Sequence, residues 1–187
     1  SVCRAMANMG LCDLALVAPK NLNYDEARWL ACHATEVLAN RTEVATLAEA
    51  VADCGLVMGT TARDGLYRSH SKTPREWAPK AVETARTGRV ALVFGREDNG
   101  LSNEELAICT QVIRIPTTDE FKSVNVSQAV MICCYELFLA DGQYEPPEEK
   151  SGEAPSQLRE RMFEIWRRTM FAIGFMKDDK ADHMMLG

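Results

Sequence analysis

The chain has 187 residues, of which 47% are hydrophobic and 26% charged, and its formal net charge at pH 7 is −6. This composition is typical of a folded protein of one large domain, and it excludes a disordered or collagen-like chain. No apolar run approaches the roughly 18 residues of a membrane helix, so we expect no membrane partner.

The predicted elements alternate between short apolar strands and amphipathic helices. Apolar runs bounded by Gly or Pro predict strands, whereas helical spacing or a capping-box pattern predicts helices. In chain order we predict a helix over 1–10, a strand over 13–17, helices over 24–38 and 47–54, a strand over 55–59, a helix over 77–86, a strand over 90–94, a helix from Ser102, a strand over 111–115, and helices over 126–140 and 157–173. This alternation is typical of an α/β domain with a mainly parallel sheet flanked by helices.

Composition also divides the chain. Residues 1–141 carry the α/β pattern, residues 142–156 are rich in Pro, Glu, Gly and Ser, and residues 157–187 are too short to bury a core alone. We therefore expect one domain, a linker and a helical C-terminal extension. Because a parallel α/β domain usually begins with a strand, we also expect that an N-terminal strand is missing and that the extension is truncated.

The residues that bind metals or form disulfides are scattered. The seven cysteines include no CxxC pair, and the three histidines lie far apart. Neither a disulfide framework nor a metal site is expected, and reduced thiols in the cytoplasm fit better.

Two polar loops each follow a predicted strand and lead into a predicted helix. The first contains Gly95 and Glu97, and the second contains Ser123 and Asn125. Ligands of open α/β sheets bind at such strand ends, although turns and helix caps use the same residue types. The fingerprints GxGxxG and GxxxxGK[ST] do not occur, which disfavours a nucleotide-dependent dehydrogenase and a P-loop NTPase.

The charge is uneven along the chain. Residues 61–89 contain seven basic and three acidic side chains, a local balance of +4 in an acidic protein. This segment is either a solvated face or an anion-binding patch.

Three segments resemble the motifs of the SpoU/TrmH branch of the SPOUT RNA 2′-O-ribose methyltransferases. Residues 94–97 with 100–106 are similar to motif 2, residues 123–127 to motif 3, and residues 4–10 to the second half of motif 1. The TrmJ subfamily is the nearest, because residues 60–63 resemble its strand end and residues 162–185 resemble its C-terminal extension.

The resemblance implies a SPOUT fold, whose sheet ends in a C-terminal trefoil knot that binds S-adenosyl-L-methionine. The implied cofactor-binding residues are Thr60, Thr61, Ala62, Gly95, Ile115, Ser123, Val124 and Asn125. The implied catalytic residues are Arg4, Glu97, Ser123 and Asn125. A guanidinium is charged at neutral pH, so we expect Arg4 to hold a phosphate and stabilise a developing alkoxide rather than act as a free base. We expect RNA contacts from Arg63, Arg68, Lys72 and Arg75.

The implied function is 2′-O-methylation of cytidine or uridine in the anticodon loop of tRNA. The resemblance also implies a cytoplasmic homodimer with its active site at the subunit interface. The helix over 126–140 either contributes to that interface or covers the sheet. Two alternatives remain, namely a ribosomal RNA methyltransferase and an inactive RNA-binding protein of the same fold; the presence of Arg4, Glu97, Ser123 and Asn125 argues against the second.

Overall fold

The computed structural model describes residues 1–20, 23–63, 71–142, 144–147 and 152–175. The chain forms two compact units, Ser1–Glu145 and Pro146–Gly187. In chain order the elements are α1 (Val2–Asn8), β1 (Ala15–Val17), α2 (Tyr24–Ala31), α3 (Thr35–Ala39), β2 (Thr42–Val44), α4 (Leu47–Ala50), β3 (Cys54–Thr60), α5 (Pro74–Ala85), β4 (Arg89–Val93), α6 (Asn103–Ile108), β5 (Gln111–Ile113), α7 (Val126–Asp141) and α8 (Ser156–Ala172). The unit boundary falls between residues 145 and 146, within the segment that the sequence predicts as a linker.

The strands pair in parallel, as the alternation of strands and helices predicts. β3 is the central strand of a three-stranded sheet of order β4-β3-β5, and Met58 pairs with both Leu92 and Gln111. β1 and β2 form a separate two-stranded sheet, in which Ala15 pairs with Thr42. The α/β class with parallel sheets flanked by helices is therefore confirmed.

Helices cover both faces of the three-stranded sheet, which is why β3 is apolar at successive positions. On one face, Leu56 and Met58 pack with Trp77 of α5 and Cys133 of α7. On the other face, Val57 belongs to a buried cluster with α4 and α6, whose members are Leu47, Val51, Val93, Leu101 and Leu106. The carboxyl end of β3 therefore lies at the edge of a packed core.

The N-terminal helix packs on α7 through small and sulfur-containing side chains. Cys3 and Met6 are buried with Val130 and Cys134 in a third cluster. α1 ends at Asn8, two residues before the predicted end at Gly10, and Gly10 itself has a φ of +72°, where a residue with a Cβ would be strained.

Three elements differ most from the sequence predictions, and several others begin or end within three residues of their predicted bounds. The helix predicted over 24–38 is interrupted by a 3-10 turn, Cys32–Ala34, where Cys32 has a φ of +49°. The helix predicted over 47–54 ends at Ala50. β2 was not predicted because its Thr-Glu-Val sequence is short and half polar.

Candidate active site

A cavity of about 770 Å³ opens at the carboxyl ends of β3, β4 and β5. Three loops line it, one from each strand. Seven of the eight predicted cofactor residues lie on its wall: Thr60, Thr61, Ala62, Gly95, Ile115, Ser123 and Val124. The cavity thus gathers residues that are up to 69 positions apart in the chain, and its volume is that of a small-molecule site.

The sheet holds the first loop in place on both sides. The Thr60 hydroxyl donates a hydrogen bond to the Val93 carbonyl of β4 (3.1 Å). The Thr61 amide donates to the Ile113 carbonyl of β5 (3.0 Å). Because β3 is central, its end is anchored to both neighbouring strands, and this wall of the cavity is held from two sides.

The second loop, residues 94–102, folds back on itself. The Gly100 amide donates to the Arg96 carbonyl (2.8 Å), and Gly100 has a φ of +62°. A Cβ at Gly95 would lie 2.1 Å from the Gly100 carbonyl carbon, so the two limbs of the loop touch through backbone atoms. Only glycine fits at position 95, and the cavity wall is made of main chain there.

The predicted capping box fixes the end of this loop. The Ser102 hydroxyl accepts from the Glu105 amide (3.1 Å), and the Glu105 carboxylate accepts from the Ser102 amide (2.7 Å). α6 therefore starts where the sequence predicts.

A second cavity of about 550 Å³ adjoins the first and shares Gly95, Arg96, Glu97 and Val126 with it. Its other lining residues are Ser1, Val2, Leu16, Val17, Pro19, Lys20, Asn125 and Ser127. Asn125 is the one predicted cofactor residue that lines this second cavity instead of the first.

A hydrogen bond between Asn125 and Glu97 lies where the two cavities meet. The Asn125 side-chain amide donates to Glu97 Oε1 (2.6 Å). Asn125 Oδ1 accepts from the amide and the hydroxyl of Ser127 (2.9 and 2.7 Å), so Asn125 caps the start of α7. One side chain therefore both starts α7 and orients the carboxylate of Glu97.

The structure brings together three of the four predicted catalytic residues. Glu97, Ser123 and Asn125 lie on the two adjoining cavities. Arg4 is exposed on α1 and lines neither cavity, and its Nη1 lies 4.0 Å from the Cys32 sulfur.

Two of the four predicted RNA-binding residues have partners within the chain. Arg63 donates to the carbonyls of Asn99 and Leu101, and Arg75 forms an ion pair with Glu136 (3.0 Å). Lys72 is exposed, with its Nζ 5.0 Å from the centre of the Trp77 ring. Arg68 lies outside the described residues.

Sequence reasoning missed several residues of the first cavity. These are Phe94, Arg96, Asp98, Asn99, Gly100, Leu101, Lys122, Val126 and Ala129, besides Glu97 and Arg63, which were assigned other roles. Their signal was their position beside or within motifs 2 and 3. Arg96 and Lys122 add positive charge, and both have acidic partners, Glu105 (3.4 Å) and Asp119 (3.9 Å).

The described thiols are poor nucleophiles where they are buried. Burial raises the pKa of Cys133 to about 12 and the pKa of Cys109 and Cys134 to about 11. Among the residues placed by the structure, no group of three His, Cys, Asp or Glu side chains could hold a metal ion. No helix in the described part of the chain is long and apolar enough to cross a membrane.

Comparison with known proteins defines the class of protein. Residues 1–135 match the model of the SpoU rRNA Methylase family, so the chain belongs to this family. Its particular relatives are TrmJ enzymes. The chain is 38% identical over 194 residues to the tRNA (cytidine/uridine/adenosine-2′-O-)-methyltransferase TrmJ of Pseudomonas aeruginosa (strain UCBPP-PA14), a match that covers 97% of this chain and 76% of that protein.

Other relatives give the same result. The tRNA (cytidine/uridine-2′-O-)-methyltransferase TrmJ of Escherichia coli (strain K12) is 38% identical over 191 residues, covering 99% of this chain and 77% of that protein. Among solved structures, TrmJ from Z. mobilis ZM4 superposes with a TM-score of 0.69 at 34% identity, covering 98% of this chain and 79% of that one. A probable methylase family protein from Haemophilus influenzae Rd KW20 gives a TM-score of 0.71 at 36% identity, with 98% and 76% coverage. The predicted family and its TrmJ-like character are confirmed.

Proposed function

We propose that this chain is an S-adenosyl-L-methionine-dependent 2′-O-methyltransferase that acts on cytidine or uridine in the anticodon loop of tRNA. The observation that carries the proposal is the pair of adjoining cavities with the Asn125–Glu97 hydrogen bond between them. Methyl transfer needs two ligands side by side, a methyl donor and an RNA ribose, and two cavities that share a wall provide this arrangement. The names of the TrmJ relatives supply the tRNA substrate.

The first cavity fits the methyl donor in size and chemistry. Its volume of about 770 Å³ lies within the range of cofactor sites, and the Gly95–Gly100 contact leaves main chain exposed for a flat ligand to lie against. Residues 60–62, Gly95, Ile115, Ser123 and Val124 would hold it, and Asn125 would reach it only from the adjoining second cavity. When bound, S-adenosylmethionine supplies a methyl group carried on a sulfonium.

The second cavity would take the ribonucleotide. Glu97 accepts a hydrogen bond from the ribose 2′-hydroxyl and orients its oxygen, while Asn125 holds the carboxylate in position. The Lys20 ammonium, on the same cavity, offers a positive charge to a phosphate. Fixing the hydroxyl in this way contributes several kcal/mol to lowering the barrier.

Arg4 would act from a partner subunit. It lines neither cavity of its own chain, although its helix carries the matching motif. The outer face of α7 bears a stripe of exposed apolar side chains at helical spacing, Ile132, Tyr135 and Leu139, and this stripe fits a second copy of the chain. Its opposite face covers the sheet and α1, so both roles weighed for this helix have support.

Finer features of the fold form part of the proposal. Family membership supports a trefoil knot around the first cavity. The seven free cysteines support a cytoplasmic location.

The test is methyl transfer from labelled S-adenosylmethionine to unmodified tRNA and ribosomal RNA, with the modified nucleotide mapped by mass spectrometry. We expect a 2′-O-methyl pyrimidine in the tRNA anticodon loop. Glu97→Gln should lower kcat, because a neutral amide oxygen accepts a hydrogen bond from the 2′-hydroxyl more weakly than a carboxylate does, whereas Glu104→Gln on α6, outside both cavities, should not. Methylation of ribosomal RNA alone, or RNA binding without methylation, would replace the proposal with one of the two alternatives.

The subunit arrangement has a separate test. Arg4→Ala and Glu97→Gln homodimers should each be inactive, and a mixture should regain part of the activity if the two residues come from different chains. A mixture that stays inactive would place both residues in one chain.

A further inference from the structure

The sequence predicts that Arg63 contacts RNA, but in the structure its side chain makes hydrogen bonds within the chain. It follows the end of β3, and its amide donates to the Thr61 hydroxyl (3.2 Å). Thr60 and Thr61 are themselves tied to β4 and β5. The main chain at position 63 is therefore fixed at the rim of the first cavity.

The Arg63 side chain crosses from this loop to the neighbouring one. Its Nη2 donates to the carbonyls of Asn99 and Leu101, the latter at 3.0 Å. These carbonyls flank Gly100, and a Cβ on Gly100 would lie 3.6 Å from the same nitrogen. One guanidinium group thus spans the tightest turn of the cavity wall.

The turn held by Arg63 also contacts the opposite limb of its loop. The Gly100 amide donates a hydrogen bond to the Arg96 carbonyl, and the Gly100 main chain touches Gly95. Leu101 is buried in the core beneath. Asn99 and Gly100 are therefore held partly by a side chain that follows another strand, whereas Leu101 is held by packing.

We infer that Arg63 is a positioning residue that sets the shape of the methyl-donor cavity by holding the 99–101 turn, and that it does not bind RNA. The inference rests on the proposed function for the identity of the ligand. The hydrogen-bonding geometry of the turn stands independently of it.

The test compares Arg63→Ala with Arg86→Ala, which removes the same charge from an exposed position outside both cavities. We expect Arg63→Ala to raise the Kd and KM for S-adenosylmethionine tenfold or more. The kcat at saturating donor, the tRNA affinity and its salt slope should stay within twofold of wild type. Arg86→Ala should leave the donor Kd unchanged.

Hydrogen exchange of the donor-free protein provides a readout without RNA or turnover. The Gly100 amide, which donates to Arg96, should exchange at least tenfold faster in Arg63→Ala. A general loss of packing would instead speed exchange across the whole sheet. Wild-type protein that neither binds the donor nor methylates RNA would refute the proposed function, and this exchange measurement would still test the turn.

If the alanine variant fails to fold, Arg63→Lys distinguishes a role in positioning the 99–101 turn from a role in binding RNA. Lysine keeps the charge but offers one ammonium in place of the planar fork. An RNA contact would be largely retained, whereas we expect the donor affinity to remain several-fold weaker. Unchanged donor affinity and unchanged Gly100 exchange in the variants, or a tRNA salt slope reduced by about one, would overturn the inference.

Discussion

Replacing Gly95 with alanine should damage both the stability and the donor site of the protein. The new Cβ would lie 2.1 Å from the Gly100 carbonyl carbon and 2.2 Å from the Leu101 nitrogen. Ordinary contact begins at 3.4 Å, so the two limbs of the loop must separate by about 1.3 Å. No rotamer change relieves this overlap, because every atom involved belongs to the main chain.

The size of the expected loss of stability follows from overpacking. Such insertions cost about 1 to 3 kcal/mol, and we expect about 2 to 3 here because backbone must move. For a chain of this length each kcal/mol lowers the Tm by roughly 2 to 4 °C, so the expected loss is roughly 4 to 12 °C. The shift also moves Leu101, which anchors the loop in the core.

Thermal unfolding and calorimetric titration with S-adenosylmethionine measure the two effects. Gly55→Ala is the matched control, since it lies in β3 of the same sheet and its Cβ would approach nothing closer than 4.0 Å. The reasoning would be refuted by a Gly95→Ala protein with the Tm of the control and the donor affinity of the wild type.

Three further predictions concern individual side chains. Asn125→Asp keeps an oxygen to cap α7 but sets a second carboxylate beside Glu97. The variant should therefore have a lower Tm than wild type at pH 8, and the difference in Tm should be smaller at pH 5. An equal difference in Tm at both pH values would contradict this. The hydrogen bond from the Thr73 amide lowers the pKa of Glu76 in the capping box of α5. This carboxylate therefore stabilises the fold above its unfolded pKa of about 4.3, and the stabilisation is lost as the pH falls through its lower folded pKa. Glu76→Gln should make the decline of Tm in that acid range less steep. Iodoacetamide at pH 8 should label exposed Cys12 and Cys32 and spare buried Cys133, whose pKa is raised to about 12. Peptide mapping measures the labelling, and modification of Cys133 in native protein would show that α7 opens readily.

The sequence was informative where one local cause decides the structure. The capping box at Ser102 and the Asn125 cap were predictable because their partners lie within three residues. The largely apolar strand β3 was predictable for a similar reason, since burial on both faces leaves the apolar run Leu56–Met58. The cofactor residues that we predicted came from the resemblance, not from periodicity.

The remaining features depend on contacts between distant segments. The interruption of the helix at Cys32 and the pairing of the polar strand β2 with β1 have no local signal. The charge of Arg63 suggested RNA, but its partners at positions 99 and 101 come from a different strand end. A sequence gives the chemical type of such a side chain, whereas only the fold determines which group it meets.

The central place of β3 has a consequence for the synthesis of the protein. β3 comes before both strands that pair with it, and Ile113, the last residue of β5, follows Thr60 by 53 residues. At about 5 to 20 residues per second, the ribosome needs roughly 3 to 10 s to add that stretch. Until β5 is made, β3 can pair only with β4, so the nascent chain presents one unpaired edge of an apolar strand to the chaperones that bind such segments.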